Sequence, residues 1–154
     1  MTRADFYIGQ GANANWIGSI NHDGYPENIP TDILICTNPV LYEELVVEFI
    51  KTYEHGVIRS EGGKWCWPWG DSRLTDYSYI FEPSVGKVLA SKFGKPMFDP
   101  VIIKQGEDLI QADIGLGPPK FPMMVSGKQE KQWTERYQSY IKIMGITPTT
   151  ETSP

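Results

Sequence analysis

Three of the chain's five tryptophans fall within five residues, at Trp65, Trp67 and Trp69, and the polar and charged groups Asp71, Ser72, Arg73, Thr75 and Asp76 follow at once. No other feature constrains the fold as much. Each indole carries a large apolar surface and a single N–H donor, so a cluster of them must wall a core or a ligand pocket. The polar run beside it can supply that wall's hydrogen bonds. The three indoles alternate along the chain, which would place them on one face of an extended segment, but Pro68 works against a regular ladder.

At 154 residues the chain has the size of one domain, long enough to bury about two-thirds of its unfolded surface without disulfide or metal staples. A hydrophobic share of 40% with 21% charged residues is ordinary globular composition, and 15 Gly and 12 Pro imply many turns. The net charge of −5 leaves no basic surface to neutralise a phosphate backbone, so generic nucleic-acid binding is not expected. Cys36 and Cys66 lack the spacing of a zinc or redox pair and read as reduced thiols of an intracellular protein. No apolar leader follows Met1, and no window approaches about 18 uninterrupted apolar residues, so a soluble, cytoplasmic protein with no membrane partner is expected.

Residues 4–8 and 16–20 are β-prone runs joined by the Gly- and Asn-rich stretch 9–15, which reads as a hairpin. The run 32–37 is either a short strand or the approach to a helix. That helix begins after Asn38, a suitable cap, with Pro39 in its first turn, and is stopped by Gly56. Leu41, Tyr42, Leu45, Val46, Phe49, Ile50 and Tyr53 mark its apolar face. A second hairpin is expected from residues 77–82 and 87–93, with Tyr77, Tyr79 and Phe81 on one face beside Val88 and Ala90, and Ile80 and Leu89 on the other. Residues 94–125 should mix loop with one or two edge strands, among them the Val101-Ile102-Ile103 run. A second amphipathic helix is expected over 127–144, striped by Trp133, Tyr137, Tyr140, Ile141 and Met144, followed by a tail over 147–154. The resulting fold class is α+β: one domain over 1–146, a mainly antiparallel sheet built from two hairpins, with two amphipathic helices packed on one side.

The chemical inventory leans away from catalysis. His22 and His55 are the only histidines and lie in no metal-binding spacing, and no nucleophile sits in an elbow motif. The Gly9–Asn15 loop leads into a strand, whereas a phosphate-cradling loop leads into a helix. In the Asp71–Asp76 segment the charges either tie the loop to neighbouring strands or form a recognition site. In the second reading Arg73 clamps an anion beside indole stacking surfaces, the combination that holds a nucleotide-like ligand. The residues assigned to that site are Trp67, Trp69, Arg73, Asp76 and Tyr77, with Arg3, Asp5 and Trp16 from the first two strands. No cofactor or metal is assigned.

Two sets of motifs, Thr2-Arg-Ala-Asp-Phe-Tyr-Ile-Gly9 with Trp16-Ile-Gly-Ser-Ile20 and Asp23-Gly-Tyr-Pro26, and Trp67-Pro-Trp-Gly-Asp-Ser-Arg-Leu-Thr-Asp-Tyr-Ser-Tyr79 with Ser91-Lys-Phe-Gly94 and Phe98-Asp-Pro100, resemble a group of small accessory proteins of tailed bacteriophages. The match runs over about residues 2–100. The resemblance implies action in the cytoplasm of an infected host, commonly against host defence, by sequestering a nucleotide-derived signal without turning it over. Two other readings stand beside it: a metal-dependent hydrolase or phosphodiesterase using Asp5, Asp71, Asp76 and His22, and an inhibitor that binds a host defence protein directly. The aromatic excess also suits a subunit interface, and hence a homo-oligomer.

Overall fold

The computed structural model describes residues 2–106, 112–124 and 142–143. The fold is α+β, built on a five-stranded, mostly antiparallel sheet. Its strands are β1 (Ala4–Ile8), β2 (Asn15–Ile20), β3 (Val57–Ile58), β4 (Tyr77–Glu82) and β5 (Lys87–Lys92). They lie in the order β3-β2-β1-β4-β5, and β1 runs parallel to β4 while every other neighbouring pair is antiparallel. The two-residue β3 and the parallel β1–β4 contact are not anticipated by the sequence reading. The first is too short to leave a periodic signal, and the second joins strands far apart in the chain.

Both faces of the sheet are covered. Side-chain alternation sends Phe6, Tyr79, Phe81, Val88 and Ala90 to one face, where they pack with Tyr42, Val46 and Ile50 of α2 (Pro39–Lys51). Tyr7, Trp16, Ile80 and Leu89 point the other way and pack with Trp65, Trp67, Trp69, Met97 and Phe121. The Trp-rich segment is thus the lid of a second apolar layer. A bulge between Phe6 and Tyr7 shifts the β1–β2 register, which places Ile17 in the first layer while Trp16 stays in the second.

The Asn38 side chain caps α2 by accepting from the Leu41 N–H at 3.0 Å, with Pro39 in the first turn. Leu41, expected on the buried face, is 48% exposed. The residues facing the sheet are Tyr42, Val46 and Ile50, one line at four-residue spacing, and position 41 lies about 100° round the helix from position 42. The run 32–37 holds a short helix, α1 (Thr31–Leu34). Val101–Ile103, expected as a strand, lies in α3 (Pro100–Lys104), because Asp99 caps it through the Val101 N–H at 3.0 Å and Pro100 supplies the first turn. The expected helix over 127–144, but for residues 142–143, and the tail over 147–154 lie outside the described residues. Among the described residues no helix is long and apolar enough to cross a membrane.

Candidate ligand-binding site

The register sets Ser19, Asp5, Ser78 and Ser91 side by side across four strands, one row nearer the sheet end than the apolar row of Trp16, Tyr7, Ile80 and Leu89. All four polar residues are buried. Asp5 is the hub. Its Oδ1 accepts from Ser19 Oγ at 2.5 Å and from Trp67 Nε1 at 2.7 Å, and its Oδ2 accepts from Ser72 Oγ at 2.6 Å. With its proton given to Asp5, the Ser72 hydroxyl accepts from the Tyr7 hydroxyl at 2.6 Å, and Ser19 Oγ likewise accepts from Trp16 Nε1 at 3.0 Å. Burial raises the Asp5 pKa above the ordinary carboxylate value, and the hydrogen bonds from Ser19, Ser72, Thr75 and Trp67 oppose that rise only in part. Burial, with the Asp5 charge second, also pushes the Tyr7 phenol well up, which keeps it a donor.

The indoles of Trp65 and Trp69 are satisfied in the same way. Trp65 Nε1 donates to the Trp69 carbonyl at 2.6 Å, and Trp69 Nε1 donates to Thr75 Oγ1 at 3.1 Å. Most of the hydrogen-bonding run after the tryptophans therefore turns inward, Thr75 to Trp69 and Ser72 to Asp5 and Tyr7.

Arg73 belongs to that inward-facing set. Its Nη2 lies 2.7 Å from Asp71 Oδ2, its Nε lies 3.1 Å from both carboxylate oxygens, and Asp71 Oδ1 also accepts the Arg73 backbone N–H at 2.9 Å. Gly94 closes over this pair with φ of +70°, so near that an added Cβ would stand 2.9 Å from Arg73 Cγ. With 5% of Arg73 and none of Asp71 exposed, the geometry realises the internal tie, and the anion clamp read for Arg73 from sequence is not where solvent reaches.

Arg3 is a partly exposed cation at the end of this face. Its guanidinium lies 5.4 Å from the Trp69 ring centroid and 5.7 Å from that of Trp67, over two indoles stacked 5.6 Å apart at 16°. The side chain is 36% exposed, and its ion pair with Asp76 Oδ2 is loose at 3.6 Å. The same oxygen accepts the Arg3 backbone N–H at 2.8 Å, so Asp76 stays in place independently of the guanidinium. Two loops border this end of the sheet, one held by Gly24 N–H donating to the Thr2 carbonyl and one by Phe93 N–H donating to the Asp76 carbonyl. Each carries a non-glycine residue in the left-handed region, Asp23 at φ 63° and Phe93 at φ 51°, and these are the only two such residues among those described.

Of the residues assigned from sequence, Arg3, Trp67, Trp69 and Asp76 meet at this rim, with Asp5 directly beneath and joined to it through Trp67. Trp16 lies one row deeper and reaches the hub through Ser19. Tyr77 faces the opposite layer, under the edge of Tyr25 and with Lys92 Nζ 6.0 Å from its ring. Burial, then Glu27, push its hydroxyl up to about 12. Sequence reading did not single out Tyr7, Ser19, Ser78 or Ser91. The available signal was Asp5 itself, a lone carboxylate inside an apolar strand, which requires donors on neighbouring strands. As for a hydrolytic centre, Asp5 and Asp71 are engaged separately, and among the described residues no group of three or more His, Cys, Asp or Glu is placed to hold a metal ion.

The chain matches no protein-family model and no curated protein, and no solved structure is similar to it.

Proposed function

We propose that this protein captures a small, anionic, nucleotide-derived ligand at the sheet end around Arg3, and does so by binding without turnover. The observation that carries the reading is the partly exposed Arg3 side chain, whose guanidinium lies within 5.7 Å of the ring centroids of the stacked Trp67–Trp69 pair and is held only loosely by Asp76. A cation braced on aromatic rings keeps its orientation without using its hydrogen-bonding edges, so its N–H groups can turn to a phosphate or carboxylate. The two left-handed loop residues that frame the rim support the same location, since backbone strain collects where a site has to be shaped. The resemblance to phage accessory proteins supplies the setting, an infected host cell in which such a ligand is a defence signal.

A thermal-shift screen against linear and cyclic nucleotides tests this. A ligand at about 100 times its Kd stabilises the native state by about 2.7 kcal/mol, worth roughly 5–10 °C in a domain of this size. Arg3→Gln should abolish the shift at a cost of only a few degrees in the unliganded Tm, because an ion pair as loose as 3.6 Å and its ring contacts together contribute about 1 kcal/mol. A panel with no shift, or a shift that survives Arg3→Gln, refutes the assignment. Ligand recovered chemically altered after incubation shows turnover and refutes capture.

A further inference from the structure

A second surface, remote in sequence from the rim and independent of the ligand reading, lies on the outer side of α2. Ile35, Val40 and Leu41 at the α1–α2 junction are 56%, 68% and 48% exposed. At helical spacing Val40 continues into a shallow, open groove of about 360 Å³ along α2, lined by Glu43, Glu44, Val47 and Glu48. The carboxylates of this groove are poorly compensated. Among the described residues Glu43 and Glu44 form no ion pair, and Glu48 shares Lys51, at 3.6 Å, with the nearer Glu61 at 3.1 Å. Residues 31–61 hold six carboxylates, at 32, 43, 44, 48, 54 and 61, against the two cations Lys51 and Arg59, so this segment carries −4 of the chain's −5.

We propose that this face docks a basic, amphipathic helical segment of a partner protein. The charge complement fixes the occupant: a second copy of the same face would oppose glutamate to glutamate, and an anionic membrane surface would be repelled in the same way. A lone cation would leave Val40, Leu41 and Ile35 in water. A partner helix with Lys or Arg flanking an apolar stripe answers both requirements. Its apolar side covers Val40, Leu41 and Val47, and its cations meet Glu43, Glu44 and Glu48, the helix-in-groove mode in which anchors recur at three- and four-residue spacing.

The test is fluorescence anisotropy of a labelled synthetic Leu/Lys peptide with helical amphipathic spacing, titrated with the full chain. A scrambled peptide of the same composition and the variants Glu43→Gln/Glu44→Gln and Val40→Ser/Leu41→Ser serve as comparisons. All four substituted side chains are exposed or half-buried, and circular dichroism confirms that the variants fold. Saturable binding of the amphipathic peptide, weakened at least tenfold by scrambling and by each double variant, supports the docking surface. Amide shifts confined to residues 35–48 support it further. No binding, equal binding of the scrambled peptide, or variants that bind like the parent overturn it. So does self-association of the parent chain that Val40→Ser/Leu41→Ser abolishes, which would make the occupant a second copy.

Discussion

Replacing Asp5 gives the sharpest test of the buried polar row. Asp5→Ala removes the acceptor of Ser19 Oγ, Trp67 Nε1 and Ser72 Oγ in a place where none of the carboxylate is exposed. Each hydrogen bond to a charged group contributes about 1.5–3 kcal/mol, and each donor left buried without a partner costs about 1–3 kcal/mol. The relieved desolvation of the carboxylate offsets part of this, so a net loss of about 3–5 kcal/mol follows, roughly 6–20 °C in Tm for a domain of this length. Asp5→Asn should cost much less. The amide oxygen can replace Oδ1 for Ser19 and Trp67, and the amide N–H can donate to Ser72, whose hydroxyl then turns to donate to Tyr7, as the 2.6 Å contact between those hydroxyls permits in either sense. Urea denaturation of the three proteins at neutral pH, with equal m-values as the two-state check, measures the series. An Ala variant within about 1 kcal/mol of the parent, or an Asn variant as unstable as Ala, would sink the hub assignment, since the reasoning requires both a cost and its rescue.

Three further outcomes follow from the same structure. The folded-state pKa of Asp5 lies above its unfolded value, so the stability this group contributes is full below about pH 4 and is lost as pH rises through the folded pKa. The stability of the parent relative to Asp5→Asn should therefore fall with rising pH across that window, and denaturation midpoints that move in parallel would contradict the raised pKa. Arg73→Ala takes the guanidinium from the fully buried Asp71 carboxylate and should cost about 3–5 kcal/mol with or without ligand, whereas a near-neutral effect would show that the pair is not buried in solution. Gly18→Ala would place a Cβ 2.2 Å from the Val57 carbonyl oxygen and 2.8 Å from Ile50 Cδ1, and should cost about 1–3 kcal/mol by prying β3 from β2. Loss of amide protection at residues 57–58 reads that displacement directly, and unchanged protection would refute it.

The fold was legible where signals are local. The Asn38 cap with Pro39 marks the start of α2, and period-two alternation sorts Tyr79 and Phe81 from Ile80 and Leu89. Register between distant strands was not, and it creates most of the candidate site. Only the parallel β1–β4 contact sets Asp5 beside Ser78, and only the β1–β2 bulge keeps Ser19 and Trp16 on the same face. For Arg73 the sequence left both readings open, and local spacing does not choose between them. A guanidinium two residues from a carboxylate can pair with it or reach outward, and in the fold it pairs, with Gly94 from the turn beyond β5 lying close against Arg73.

The burial of the tryptophans and the exposure of Arg3 belong to one construction. Along the Trp-covered face the rows change from apolar, at Trp16, Tyr7, Ile80 and Leu89, to neutral polar with one carboxylate, at Ser19, Asp5, Ser78 and Ser91, and then to the ion pair of Arg3 and Asp76 at the rim. Trp67 touches two of these rows, with its N–H on Asp5 and its ring under the Arg3 guanidinium. A buried carboxylate that holds an indole fixes the plane on which the exposed cation lies, so the Asp5 hub acts on the rim by orientation. Asp5→Asn keeps that indole's hydrogen bond and should keep ligand binding, while Trp67→Phe removes the bond and frees the ring to tilt. If Trp67→Phe binds the ligand as tightly as the parent does, the rim does not depend on the hub, and Arg3 would have to be positioned by Trp69 and Asp76.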